Sequence, residues 1–283
     1  MVNTTPTNFD KLIVTHPGPT HRDEFVSCCL LVAAGATDPF KPSWMAGRRS
    51  WLVGPVWGIE RRDPTEEDLA NKDIIVLDQG GCHDPELSNL DHHQLARDAA
   101  PACSISLVLE YLGYDLSTAR EILPWLEYSE VLDSKGPFAL ADHLGCDSES
   151  VFAGISPVET FFLKQFEGIE SLGQFDGMFE GMKRLGQTIL DQLDDTLERI
   201  KELPQLVELS VIGGVTVADV TAVSENPTLG LEIYLGSTGE DVPVTISADD
   251  RGDGLSLFRR GDDPRVDFSL IANEEGVVFA HNG

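Results

Sequence analysis

The stretch Asp73-Ile74-Ile75-Val76-Leu77-Asp78-Gln79-Gly80-Gly81 decides the fold class. Its apolar, largely β-branched run reads as a strand buried on both faces, the kind found in parallel sheets. The run stops on one carboxylate, Asp78, and on two glycines that permit a turn. A second such strand, Lys11-Leu12-Ile13-Val14-Thr15, leads directly into His16, with His21 and Asp23 just beyond. Residues 22–34 then read as a helix with acids in its first turn. Strands alternating with helices predict an α/β domain: a mostly parallel sheet with helices on both faces. Ligands of such sheets sit beyond the carboxyl ends of the strands. His16 and Asp78 both stand at such ends.

Working outward, residues 51–60 read as a strand, and Thr65-Glu66-Glu67-Asp68 as a capped helix start. Pro101 opens a predicted helix through Leu112, stopped by Gly113. Residues 117–132 form another, kinked or split at Pro124. From Ser134 to Asp176 the pattern weakens. Phe179, Met182, Leu185, Ile189, Leu193, Leu197 and Ile200 then recur at helical spacing, predicting one long amphipathic helix ended near Pro204. After it, 207–217, 229–236, 242–248, 254–260, 266–272 and 277–281 read as short β-like segments. A boundary near residue 172 divides a first domain, 1–172, from 173–283, the long helix with a smaller α+β domain. No internal repeat is visible.

The net charge of −28 comes from 48 acids against 20 basic residues, only seven of them lysine. Such a balance suits a strongly solvated surface, including one adapted to high salt. It argues against binding long duplex nucleic acid, which needs a basic stripe to neutralise phosphates. There is no apolar stretch long enough to span a membrane, and Met1 to Asp10 lack the pattern of a secretory leader. A cytoplasmic location is the expectation. The odd cysteine count, with Cys28 and Cys29 adjacent in a predicted helix, fits reduced thiols.

Five of the seven histidines lie at or near the two strand ends: His16, His21, His83, His92 and His93. The run Asp91-His92-His93 follows Asp78 by 13 residues. Carboxylate oxygens and imidazole nitrogens together suit two divalent ions, Mn²⁺ first, with Mg²⁺, Co²⁺ or Zn²⁺ as alternatives. Asp78 is the candidate bridge. His16 and His21 are assigned to one ion, and Asp23, His92 and Asp133 to the other, with Asp142 the substitute for Asp133. Asp91 is expected to orient a neighbouring group. His93 is expected to face substrate and contact phosphate or protonate a leaving oxygen. The chemistry that fits is attack of a metal-activated hydroxide on a phosphate ester.

Three spaced segments carry a resemblance: His16-Pro17-Gly18-Pro19-Thr20-His21-Arg22-Asp23-Glu24, Asp78-Gln79-Gly80-Gly81 followed by Asp84-Pro85, and Asp91-His92-His93-Gln94. In order and content they resemble the Myg-type branch of the DHH phosphoesterase superfamily over residues 11–115. Leu132-Asp133-Ser134-Lys135-Gly136 resembles the family's later Asp-containing segment, and Val277-Val278-Phe279-Ala280-His281-Asn282-Gly283 its terminal His-containing substrate motif. The resemblance implies a metal-dependent 3′-to-5′ exonuclease acting on short single-stranded RNA or oligonucleotides. It also implies a DHH-type catalytic domain followed by a substrate-binding domain. Other DHH enzymes commonly have Asp where this chain has His21, which bears on the identity of the metal.

His83 and His143 read as a loop and a structural histidine, and the pairs Arg48-Arg49 and Arg61-Arg62 as solvated surface. Arg251, Arg259, Arg260 and Arg265 are the only basic residues after Lys201, and Arg259 and Arg260 are the candidates, with His281, for holding substrate. Two rival functions stand beside the nuclease. One is a small-molecule phosphatase or inorganic pyrophosphatase, using the same metals in a more basic pocket. The other is a non-catalytic protein that binds a phosphorylated ligand.

Overall fold

In a computed structural model, residues 11–35, 57–154, 156–249 and 252–278 are described. Packing divides the chain into two units, Met1–Leu193 and Asp194–Gly283. The division falls within the long helix; the boundary expected near residue 172 precedes that helix.

The first unit starts with β1 (Lys11–Thr15), α1 (Arg22–Gly35), β2 (Trp57–Arg61), α2 (Glu66–Ala70) and β3 (Ile74–Leu77). The two-residue strands β4 (His83–Asp84) and β5 (Asn89–Leu90) follow, so His83 lies in a strand, exposed. Then come α3 (Ser104–Tyr111), α4 (Leu116–Ile122), α5 (Trp125–Lys135), α6 (Pro137–Leu144), α7 (Ser148–Ala153), α8 (Pro157–Glu167) and β6 (Ser171–Gly173). The helix α9 (Gly177–Leu206) follows and runs on into the second unit.

The six strands form one sheet in the order β4-β5-β3-β1-β2-β6. The four inner strands are mutually parallel, and only the outermost two pair antiparallel to their neighbours. The register is set by a row of isoleucines: Ile13 pairs with Ile59 on one side and Ile75 on the other, and all three are buried. A one-residue slip would turn these side chains to the opposite face. The same register sets Thr15 beside Leu77, and Leu77 beside Leu90. The residues that follow, His16, Asp78 and Asp91, therefore emerge side by side at one edge of the sheet.

Local chemistry explains most element ends. Thr65 caps α2 in a capping box with Asp68. Pro124 separates α4 from α5, as its ring and missing N–H dictate. The helix predicted from Pro101 begins only at Ser104, where Cys103 takes the cap position. Within α9, Pro204 is accommodated inside the last turn rather than ending the helix.

In the second unit, the stretch 207–217 is a hairpin of β7 (Glu208–Ile212) and β8 (Val215–Asp219). It is followed by α10 (Leu231–Thr238), β9 (Val244–Ala248) and β10 (Leu255–Arg259), with sheet order β10-β9-β8-β7. Two of the expected β-like segments are corrected. Residues 229–236 belong largely to α10, whose Leu231 and Leu235, one turn apart, are buried with Leu203, Ala218 and Val220. Its ends are set by Gly230 and Gly239, both left-handed. Residues 266–272 contain a short 3₁₀ turn, Phe268–Ile271, capped by Asp267. Among the described residues no helix is long and apolar enough to cross a membrane.

Candidate metal centre

The first unit brings together His16, His21, Asp23, Asp78, His92 and Asp133. His16 follows β1, Asp78 follows β3, and Asp91 to His93 follow β5. Asp23 comes from the first turn of α1, and Asp133 from the last turn of α5.

Asp78 occupies the middle strand position and is buried. Its Oδ2 lies 3.5 Å from His16 Nε2, and its Oδ1 lies 3.1 Å from His92 Nε2. The Ser104 hydroxyl, at the start of α3, donates to Oδ1 at 2.8 Å. Asp78 holds a left-handed backbone (φ 58°), uncommon outside glycine and frequent where a site imposes its geometry. Burial alone would raise its pKa, but His16, His92 and Ser104 override that and hold it well below the usual carboxylate range.

Three carboxylates converge on one imidazole nitrogen. His92 Nε2 lies 2.8 Å from Asp133 Oδ2, 3.1 Å from Asp78 Oδ1 and 3.9 Å from Asp23 Oδ2. Crowding of like charge in a buried place is costly without a cation. Asp23 registers this: burial first, then the charges of Asp78 and Asp133, push its pKa up to about 8. The histidines register the opposite. Close contact with the carboxylates of Asp78 and then Glu24 raises His16 to about 10. Burial pulls His92 down, but Asp133 and Asp78 outweigh it and bring it to about 10.

Three oxygens in this cluster are buried yet accept no hydrogen bond: Asp23 Oδ1, Glu24 Oε2 and Asp133 Oδ2. His16 Nε2 lies against the second, and His92 Nε2 beside the third, without hydrogen-bond alignment. Unsatisfied buried carboxylate oxygens are expensive, and a cation among them relieves the cost. The donor set fits divalent metal in three groups, of which the first and last share Asp78: His16, Glu24 and Asp78; His21, Asp23 and Asp133; and Asp78, His92 and His93. Hard oxygens mixed with imidazole nitrogen suit Mn²⁺, and also Mg²⁺, Co²⁺ or Zn²⁺.

His21 thus groups with Asp23 and Asp133, although its ring centroid is only 5.7 Å from that of His16, its expected companion. Asp133 stands in the cluster, whereas Asp142, its proposed substitute, is exposed on α6. Asp91 is buried and accepts from the backbone N–H of Gly81 (2.6 Å) and of His93 (3.0 Å). It also holds His93 Nδ1 at 2.8 Å, leaving an imidazole that is 62% exposed. His143 is half-exposed on α6, near Tyr128 and Glu127.

Of the expected substrate residues, Arg259 and Arg260 belong to the second unit. There Arg260 forms a forked pair with Glu232 and also reaches the Val242 carbonyl. Arg259 donates to the Val266 carbonyl and to Asp262, and Arg265 pairs with Asp263 and Asp241. His281, Arg251, Arg48 and Arg49 lie outside the described residues.

Three participants were not anticipated. Glu24, Ser104 and Arg61 all lie in the buried interior. Glu24 shares a helix face with buried Cys28 and Leu31, at i+4 and i+7, so an inward-facing acid was legible from spacing. Arg61 alternates onto the buried side of β2 with Trp57 and Ile59. The expectation of a solvated arginine pair is therefore corrected for Arg61; Arg62, partly exposed, is bound by Glu60 and Asp68.

No protein-family model, curated protein or solved structure matches this chain.

Proposed function

We propose that this chain is a metal-dependent phosphoesterase of the DHH type. It removes nucleotides from the 3′ end of short single-stranded RNA, using two divalent ions, Mn²⁺ foremost. The observation that carries the reading is Asp78. One of its oxygens faces the His16 group and the other faces His92. A carboxylate so placed is what a two-ion site requires of its bridge.

Ions held there supply Lewis acidity and an acidified water. The protein's part is positioning. Ser104 fixes Asp78 by a hydrogen bond to Oδ1. Asp91, itself held by two backbone N–H groups, engages Nδ1 of His93 and leaves Nε2 to meet the phosphate or pass a proton to the leaving oxygen. The arginines Arg22, Arg62 and Arg120 are each neutralised by carboxylates of their own unit. A short substrate gripped by metal suits this charge distribution better than a long polyanion.

The test is hydrolysis of a short 5′-labelled single-stranded RNA, with Mn²⁺ and Mg²⁺ supplied separately and a chelator control. A ladder shortening from the 3′ end, lost in Asp78→Asn, is the expected result. Intact RNA alongside hydrolysis of pyrophosphate or a small phosphate ester would move the assignment to a phosphatase. Mn²⁺ binding without hydrolysis of any of these would leave a phosphate-ligand binder.

A further inference from the structure

We infer that Glu24 is a direct member of the first ion group and that Arg61 is the positioning residue that aims it. The inference rests on the metal-dependent reading above and assigns two residues that reading does not use.

Glu24 is fully buried in the first turn of α1. Its two oxygens are used differently. Oε1 accepts from Arg61 Nη2 at 3.0 Å. Oε2 accepts no hydrogen bond and faces His16 Nε2, within ligand range of Asp78. His16 Nδ1 lies 3.0 Å from the Pro17 carbonyl. With the Nδ1 proton donated to that carbonyl, the Nε2 lone pair points at the same place as Glu24 Oε2 and Asp78 Oδ2. Lone pairs converging on one point call for a cation between them.

A purely structural ion pair looks different in this same unit. Glu130 gives both oxygens to Arg120, each at 2.8 Å. Glu159 gives both to Arg22, at 2.6 and 2.8 Å. Glu24 gives Arg61 only one.

Arg61 is held through both of its terminal nitrogens. Nη2 also donates to the Gly18 carbonyl (2.9 Å), and Nη1 to the carbonyls of Phe166 (3.3 Å) and Glu167 (3.0 Å) at the end of α8. Its guanidinium lies 4.9 Å from the centre of the Phe166 ring. A planar fork of donors can serve these acceptors together, and a lysine ammonium cannot. Arg61 thereby ties the loop after His16, the start of α1 and the end of α8 to one carboxylate.

Mn²⁺ titration calorimetry on the full chain tests this, comparing wild type with Glu24→Gln, Arg61→Lys and Glu130→Gln. Glu24→Gln preserves the acceptor for Arg61 and removes the ligand charge. It is expected to weaken one of two Mn²⁺ ions by roughly 100-fold and leave the other near wild type. Arg61→Lys should weaken that same ion by about 10- to 100-fold, the range for groups that orient ligands. Glu130→Gln should lower the unfolding midpoint and leave both affinities unchanged. Wild-type affinities in Glu24→Gln would overturn the inference while the metal reading stands. A wild-type chain that binds no Mn²⁺ would overturn both. Should Arg61→Lys fail to fold, Glu24→Gln alone decides.

Discussion

Gly186 lies on α9 where that helix meets α1, and a methyl group there has nowhere to go. A Cβ at this position would sit 1.9 Å from the Cys29 carbonyl oxygen, 2.4 Å from its carbon and 2.9 Å from Ala33 Cβ. Ordinary carbon–oxygen contact is about 3.3 Å or more, so Gly186→Ala requires the two helices to separate by more than an ångström. Neighbouring contacts then lose a quarter to a half of their dispersion energy. Overpacking of this kind costs about 1–3 kcal/mol. Gly181, on the same helix, is exposed with nothing within 4 Å of its Cβ position. There alanine should stabilise by about 0.5–1 kcal/mol through helix propensity alone. The same substitution five residues apart is thus expected to move stability in opposite directions. All four tryptophans precede residue 126, so urea unfolding followed by their fluorescence reports the first unit. Equal midpoints for the two variants, or a Gly186→Ala chain as stable as wild type, would refute the close approach of α1 and α9.

Two further predictions concern protons and salt. With His16 and His92 raised to about 10 and Asp23 to about 8, all three are largely protonated at pH 7 without metal, so Mn²⁺ binding should release between two and three protons. Because these pKa values are raised, affinity should climb from pH 6 toward pH 8 and level off above pH 10; calorimetry in buffers of different ionisation enthalpy counts the protons, and a count of zero would refute the assignment. With a net charge of −28, the unfolding midpoint should rise from low to molar KCl as self-repulsion is screened, and a flat or falling midpoint would argue against salt adaptation.

Much of the first unit was legible because its signals are local. The runs at 11–15 and 73–78 are apolar strands bounded by turn residues, and Pro124 splits a helix by its own covalent geometry. Helices α6 to α8 were not legible, since Phe138, Phe152 and Phe161 are exposed and blur any apolar stripe. In α10, Ile233 and Tyr234 favour strand, and burial of Leu231 and Leu235 overrides that preference. At the metal centre, strand ends and the Asp-His-His run identified six of the clustered groups. The pairing of His21 with Asp23 and Asp133, and the reach of Arg61 to Glu24, depend on contacts across the fold that no spacing encodes.

The order of the strands has a consequence for the chain as a polymer. His16, Asp78, His92 and Asp133 come from segments far apart in sequence, joined only when β1, β3 and β5 lie side by side. The two ions proposed for this centre would together act as a cross-link, closing several long loops in one place much as a disulfide closes one. Unlike a disulfide, this cross-link is reversible at the concentration of a dissolved cation. The tightness of the first unit would then follow the metal supply of its surroundings.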